Sequence, residues 1–152
     1  MGQFHAIKFP GETEAYRHKR DQLLDAEINL RKQIEHVAAL RRQLPQGGLL
    51  KEDFVFTESA GDLSNHSTTK QTKLSELFAA GKNTLVIYSF MFAPDWEKAC
   101  PSCTSILDGI DGGAQHVYAK VNFAVVAKAP IEKIREWARG RGWSKLRLLS
   151  SQ

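Results

Sequence analysis

The two cysteines of the chain stand together as Cys100-Pro101-Ser102-Cys103, and their type and spacing point to thiol chemistry. Two intervening residues bring both sulfurs to the first turn of a helix. A disulfide can close between them there, and another thiol can open it. A thiolate at a helix start faces unpaired backbone N–H groups and the positive end of the helix dipole, so the Cys100 thiol is expected below the free value of about 8.5. Pro101 suits the first helical position, where a missing N–H matters least. Cys103, one turn in and more shielded, is the expected resolving thiol. The cycle then runs from attack by Cys100 on a partner disulfide, through a mixed disulfide, to displacement by Cys103, and needs no cofactor.

Other uses of the pair are weaker. A structural disulfide over so short a loop constrains little, and it is rare in the cytoplasm. A zinc site needs about four ligands. There is no second Cys-x-x-Cys, and His5, His18, His36, His66 and His116 show no ligand spacing, so no metal is expected. Two unreactive cysteines are the remaining alternative. Asp95 and Trp96 precede the pair as supporting candidates: Trp96 as a platform beside the thiols or as plain packing, Asp95 as a proton acceptor or as a turn residue after Pro94. Asp108 and Asp111 lie beside glycines and read as turn-shaping. No Ser-His-Asp, phosphate-loop or dinucleotide fingerprint is present.

The elements that must hold this site follow from the surrounding pattern. Thr84 to Phe92 reads as a buried central strand, ended by Pro94, and the cysteines open a helix reaching about Leu107 before Gly109, Gly112 and Gly113 break it. Asn122 to Lys128 is a second buried strand. Pro130 starts a helix with Ile131, Ile134, Trp137 and Ala138 on its apolar face, ended at Gly140 or Gly142. Lys145 to Ser150 is a last strand.

Upstream, residues 1 to 11 read as a loose lead-in. Glu12 to about Gln43 holds no Pro or Gly and repeats Leu23, Leu30, Val37 and Leu44 at spacings of seven. That predicts one amphipathic helix of about 45 Å, whose stripe either covers the following domain or pairs with a second copy through residues 12–44. Lys51 to Thr57 is a short strand. Residues 58 to 73 are polar and read as a surface loop or a poor hairpin, holding a solvated His66, and Leu74 to Ala80 reads as one or two helical turns with Ser75 as N-cap. The chain divides into a helical extension, 1–48, and an α/β domain, 49–152, with parallel strand pairs.

Composition sets the class. With 42% hydrophobic and 25% charged residues the chain is an ordinary globular one. The net charge of +4 is interleaved with acids, so nucleic-acid binding is not expected. No stretch is long enough to span a membrane, and the first residues lack the charged-then-apolar order of a signal peptide, which points to the cytoplasm.

The combination FMFAPDWEKACPSC followed by DGIDG resembles the bacterial thioredoxin-like family catalogued as domain of unknown function 899, whose members are labelled predicted dithiol-disulfide oxidoreductases. LRRQLP, EDFVF, LSELF and VVAKAPIEKIREWARGRGW extend the resemblance over about residues 12–150. It implies a thioredoxin-like fold in which Cys100 and Cys103 match the family's cysteine pair and Asp95 and Trp96 its aspartate-tryptophan pair. A complete domain of that kind continues into a further strand and helix, which this chain, stopping at Gln152, is expected to lack. The expected partner is a protein or small-molecule disulfide or thiol. A catalytically silent protein dimerising through its first helix and a peroxide-reducing relative stand as alternatives.

Overall fold

A stretch without proline or glycine needs only a cap to begin a helix, and Thr13 supplies it: its Oγ1 accepts from the Tyr16 N–H at 3.2 Å. Helix α1 runs Glu14–Arg42, with Glu14 in the first turn and Arg41 and Arg42 in the last, each matching the helix dipole. The computed structural model describes residues 4–45, 47–59 and 68–152, and the chain forms two compact units, Met1–Leu49 and Leu50–Gln152. In the first unit the described part of the lead-in is tied down around Ile7 and Phe9. The buried Arg17 guanidinium donates to the Ile7 carbonyl at 3.0 Å and pairs with the Glu12 carboxylate, which also accepts from the Phe9 N–H at 3.0 Å. Arg20 stacks 5.4 Å above the Phe9 ring. A single buried cation with several acceptors therefore orders residues that composition alone made a coil.

The second unit is a mixed five-stranded sheet, β2-β1-β5-β4-β3, formed by β1 (Val55–Ser59), β2 (Thr69–Lys73), β3 (Leu85–Ser89), β4 (Asn122–Ala127) and β5 (Leu148–Ser150). Helix α2 (Pro101–Lys120) joins β3 to β4, and α3 (Ile131–Arg141) joins β4 to β5. Both connections link parallel strands, as the alternating order predicts. The polar run 58–73 contains β2, which pairs antiparallel with β1 from Val55↔Lys73 to Ser59↔Thr69. His66 lies outside the described residues. The expected helical turns are a 3-10 turn, Leu74–Leu77, with Lys73 rather than Ser75 at its N-cap. Ser75 instead donates from N and Oγ to the Asp53 carboxylate at 2.9 and 2.6 Å.

Alternation along β4 divides the core. Phe123, Val125 and Ala127 join Leu107 of α2 and Ile131, Ile134 and Ala138 of α3 in one cluster, while Ala124 joins Leu77 and Leu149 in another. Both long helices therefore cover one face and the 3-10 turn lies on the other. Strand β4 is the buried centre of the parallel part. The strand leading to the cysteines is not: β3 pairs only with β4 among the described residues, and Val86 and Ile87 are 43% and 42% exposed. Its apolar run suggested burial because Phe90 and Phe92, both 3% exposed, lie past the strand's end and pack into the core there.

Helix α2 continues through Gly109, Gly112 and Gly113 to Lys120. Fully buried Leu107 and Ala114 hold it down on either side of the glycines. So do two acids. Asp111 Oδ1 accepts the backbone N–H groups of Ser144, Lys145 and Leu146 at 2.8–3.2 Å, and Asp108 binds Trp143 Nε1 at 2.7 Å and the Arg141 guanidinium. These residues sit inside a helix and anchor the approach to β5; they do not shape a turn. Gly142, in the left-handed region at φ 73°, ends α3.

Beside β5 a buried carboxylate ties the antiparallel part of the sheet to the parallel part. Glu58 accepts from Arg147 Nε at 2.6 Å, Arg147 Nη2 at 3.0 Å and Thr72 Oγ1 at 2.5 Å. Burial raises its pKa, but Arg147, Thr72 and Lys70 outweigh that effect and hold it below the ordinary carboxylate value.

Candidate functional site

After β3 the chain turns back on itself. The Phe90 N–H donates to the Val126 carbonyl at 2.8 Å and the Ala129 N–H to the Phe92 carbonyl at 2.9 Å, which fixes the aromatic segment beside β4. Pro94 and Asp95 form a turn closed by the Trp96 N–H on the Ala93 carbonyl at 3.2 Å. Lys133 of α3 holds that turn, donating to the Pro94 carbonyl at 2.9 Å with its ammonium 5.2 Å from the Phe92 ring centre. The Cys100 N–H then reaches the Met91 carbonyl at 3.0 Å, so the first cysteine returns to the end of the strand it left.

Cys100 is the N-cap of α2 and Pro101 its first residue, as the motif predicts. The first helical bond runs from the Thr104 N–H to the Cys100 carbonyl at 2.9 Å. Thr104 Oγ1 donates to the same carbonyl at 3.0 Å and accepts from Trp137 Nε1 at 3.2 Å. The backbone of the first cysteine is thereby tied to α3.

Both cysteines are free thiols, Cys100 half-buried and Cys103 buried at 8% exposure. The Tyr88 hydroxyl of β3 and the Cys100 thiol both act on the Cys103 sulfur. That phenol holds the Cys103 thiol below its ordinary value against the opposing effect of burial. The Met91 N–H, the Cys100 thiol and Cys103's own N–H act in the same direction. Reciprocally, the bond to Cys103, then burial, then the charge of both thiols push the Tyr88 phenol up to about 12. Together these influences favour the ionised form of the Cys103 sulfur.

The expected supporting residues are divided. Pro101 is at its expected place. Asp95 is exposed on the turn. Trp96, 41% exposed, lines a shallow groove of about 340 Å³ with Met91, Phe92 and Lys128. Tyr88 and Thr104 were not singled out by sequence reasoning. A signal for Tyr88 exists: it stands two and four residues before Phe90 and Phe92, and a half-buried phenol needs a partner for its hydroxyl. Thr104 carries no such signal, since its partner Trp137 is 33 residues away.

Among the described residues no group of three or more His, Cys, Asp or Glu side chains is placed to hold a metal. Also among them, no helix is long and apolar enough to cross a membrane. A family model described as a bacterial protein of unknown function (DUF899) matches residues 7–152. No curated protein and no solved structure matches.

Proposed function

We propose that this chain, which belongs to that bacterial family of unknown function, is a cytoplasmic thiol–disulfide oxidoreductase of thioredoxin-like fold in which Cys100 attacks and Cys103 resolves. The observation that carries the reading is the pair of free thiols at the first turn of α2, with Cys100 half-buried at the N-cap and Cys103 buried behind it. Thiol–disulfide exchange needs one sulfur that meets the substrate and a second within reach behind it.

The reactive form of the reduced pair has lost one of its two thiol protons. The Cys100 sulfur bonds to one sulfur of a disulfide R–S–S–R′ as its proton passes to Cys103, and R′S⁻ leaves. The departing thiolate takes that proton, so Cys103 is a thiolate again, held by Tyr88 and the Met91 N–H. Cys103 then attacks the Cys100 sulfur of the mixed disulfide and expels RS⁻. Two electrons pass from the dithiol to the substrate, and a Cys100–Cys103 disulfide remains. The half-buried position of Cys100 leaves it reachable, while Cys103 meets only what Cys100 has already bound. The substrate is a protein or small-molecule disulfide.

Reduction of a small aromatic disulfide under a dithiol reductant tests this. Wild type should turn over, Cys100→Ser should not, and Cys103→Ser should accumulate a mixed disulfide on Cys100 visible by mass. Absence of turnover together with no trapped adduct in Cys103→Ser would remove the reading.

A further inference from the structure

Helix α1 leaves an apolar stripe open between Leu23 and Leu40. Leu23, Leu30, Ile34, Val37 and Leu40 are 39–61% exposed. Leu23, Leu30 and Val37 repeat every seven residues, Leu40 follows Val37 by three and Ile34 follows Leu30 by four. Seven residues fall about 20° short of two full turns, so these side chains form one slowly drifting seam. The half-buried positions of the helix, among them Leu24 and Ile28, lie to another side. An exposed seam from Leu23 to Leu40 is more than scattered surface apolarity.

The charges beside the seam say what fits it. Take Leu23, Leu30 and Val37 as the first core position of each heptad. Glu27, Ile34 and Arg41 then occupy one flank, and the uncharged or weakly basic Gln22, Asn29 and His36 the other. A parallel copy would set Glu27 against Gln22 and Arg41 against His36, with no ion pair gained. In an antiparallel copy each flank meets itself. Glu27 and Arg41 both lie seven residues from Ile34, so Ile34 meets Ile34 and Glu27 meets Arg41 twice. In the same register Leu30 layers on Leu40 and Val37 on Gln33, and the paired segment runs from about residue 26 to the end of α1 at Arg42, so Leu23 lies beyond it. We infer that the exposed seam of α1 is a self-association surface that pairs antiparallel with a second copy of this chain about a two-fold axis near Glu35. An isologous contact of this kind closes on itself and gives a dimer. The inference uses only α1 and holds whether or not the thiols are redox-active.

The test is the mass of the full-length chain in solution. Sedimentation at tens of micromolar should give twice the 17.0 kDa of one copy. Leu30→Glu combined with Ile34→Glu should give a monomer with unchanged far-ultraviolet circular dichroism. Glu27→Arg or Arg41→Glu alone should weaken the dimer about tenfold, and the two together should restore it. With serine at both native cysteine positions, Ile34→Cys should cross-link between copies and Leu30→Cys should not. A wild-type monomer overturns the inference, as does a dimer that survives the double glutamate variant. Cross-linking through Leu30→Cys but not Ile34→Cys overturns it in favour of a parallel pair. Hydrogen-exchange protection of the seam within a monomer would assign its cover to the same chain and overturn it too.

Discussion

Helices α1 and α3 carry the same kind of message and end differently. Each has apolar residues at helical spacing and charges elsewhere, yet Ile131, Ile134 and Ala138 of α3 are at most 3% exposed while Leu23, Leu30 and Ile34 of α1 are at least 60% exposed. Periodicity determines that a helix has an apolar side; it does not determine what meets that side. For α3 the answer lies in the connection: a crossover between neighbouring parallel strands β4 and β5 has to return over the sheet and bring its apolar side down on it. For α1 no such constraint exists, and a second copy is the cover proposed above.

The sharpest way to break this contrast is to truncate one residue on each side. Ile134→Ala, emptying a fully buried site, should cost about 2–5 kcal/mol in denaturant unfolding. Leu30→Ala should change the unfolding of a single copy by no more than about 0.5 kcal/mol, measured at a concentration where association is negligible. Equal costs at the two positions would erase the distinction between a covered and an open helix.

A second contrast lies within the sheet, between its apolar face and the polar junction at β1. Removing one partner of the Glu58–Arg147 pair, as in Glu58→Gln, should cost about 3 kcal/mol at neutral pH. The folded pKa of Glu58 lies below its unfolded value, so its stabilisation is present above the unfolded value and is lost as pH falls through the folded one. Unfolding of Glu58→Gln should therefore depend less on pH in the acid range than that of wild type.

At the thiols, Tyr88→Phe should move the thiolate absorbance transition near 240 nm to higher pH, since the donor that favours the Cys103 thiolate is gone. The stabilisation from that lowered pKa is present above the unfolded thiol value and lost as pH falls through the folded one; in the variant this pH dependence should shrink. An unchanged transition would show that Tyr88 does not serve the pair. The smallest expected effect is a gain. Nothing lies within 4 Å of a Cβ added at Gly112, so Gly112→Ala in α2 should raise stability by about 0.5–1 kcal/mol in thermal unfolding.

Much of this was legible beforehand. Parallel strands around the cysteines, α2 opening at Pro101 and α3 opening after Pro130 all follow from local signals: apolar runs, a proline at a helix start, a glycine at its end. Three features were not, or only in part. The break expected at Gly109 to Gly113 fails because Asp108 and Asp111 grip residues some 33 positions away, a contact no local pattern contains. Strand β3 looked central because Phe90 and Phe92 lengthened its apolar run, and these two pack beyond the sheet rather than within it. Strand β2 was only half legible, as one of two readings of a polar run, because the residues of TKQTK are mostly exposed, with Thr72 alone buried. Within the site, the cysteines, Pro101 and the turn at Asp95 are local. The hydroxyl of Tyr88 is not, because its role depends on how the chain folds back from Pro94 to bring Cys100 beside Met91.

The most direct test of the proposed chemistry is a redox equilibration of the full-length chain in glutathione buffers, followed by acid quenching and labelling of free thiols. A redox-active Cys100–Cys103 pair predicts one cooperative two-electron transition between a doubly labelled and an unlabelled form, with its midpoint at roughly −270 to −120 mV. Double labelling throughout that range, or labels lost one at a time to separate glutathione adducts, would contradict it.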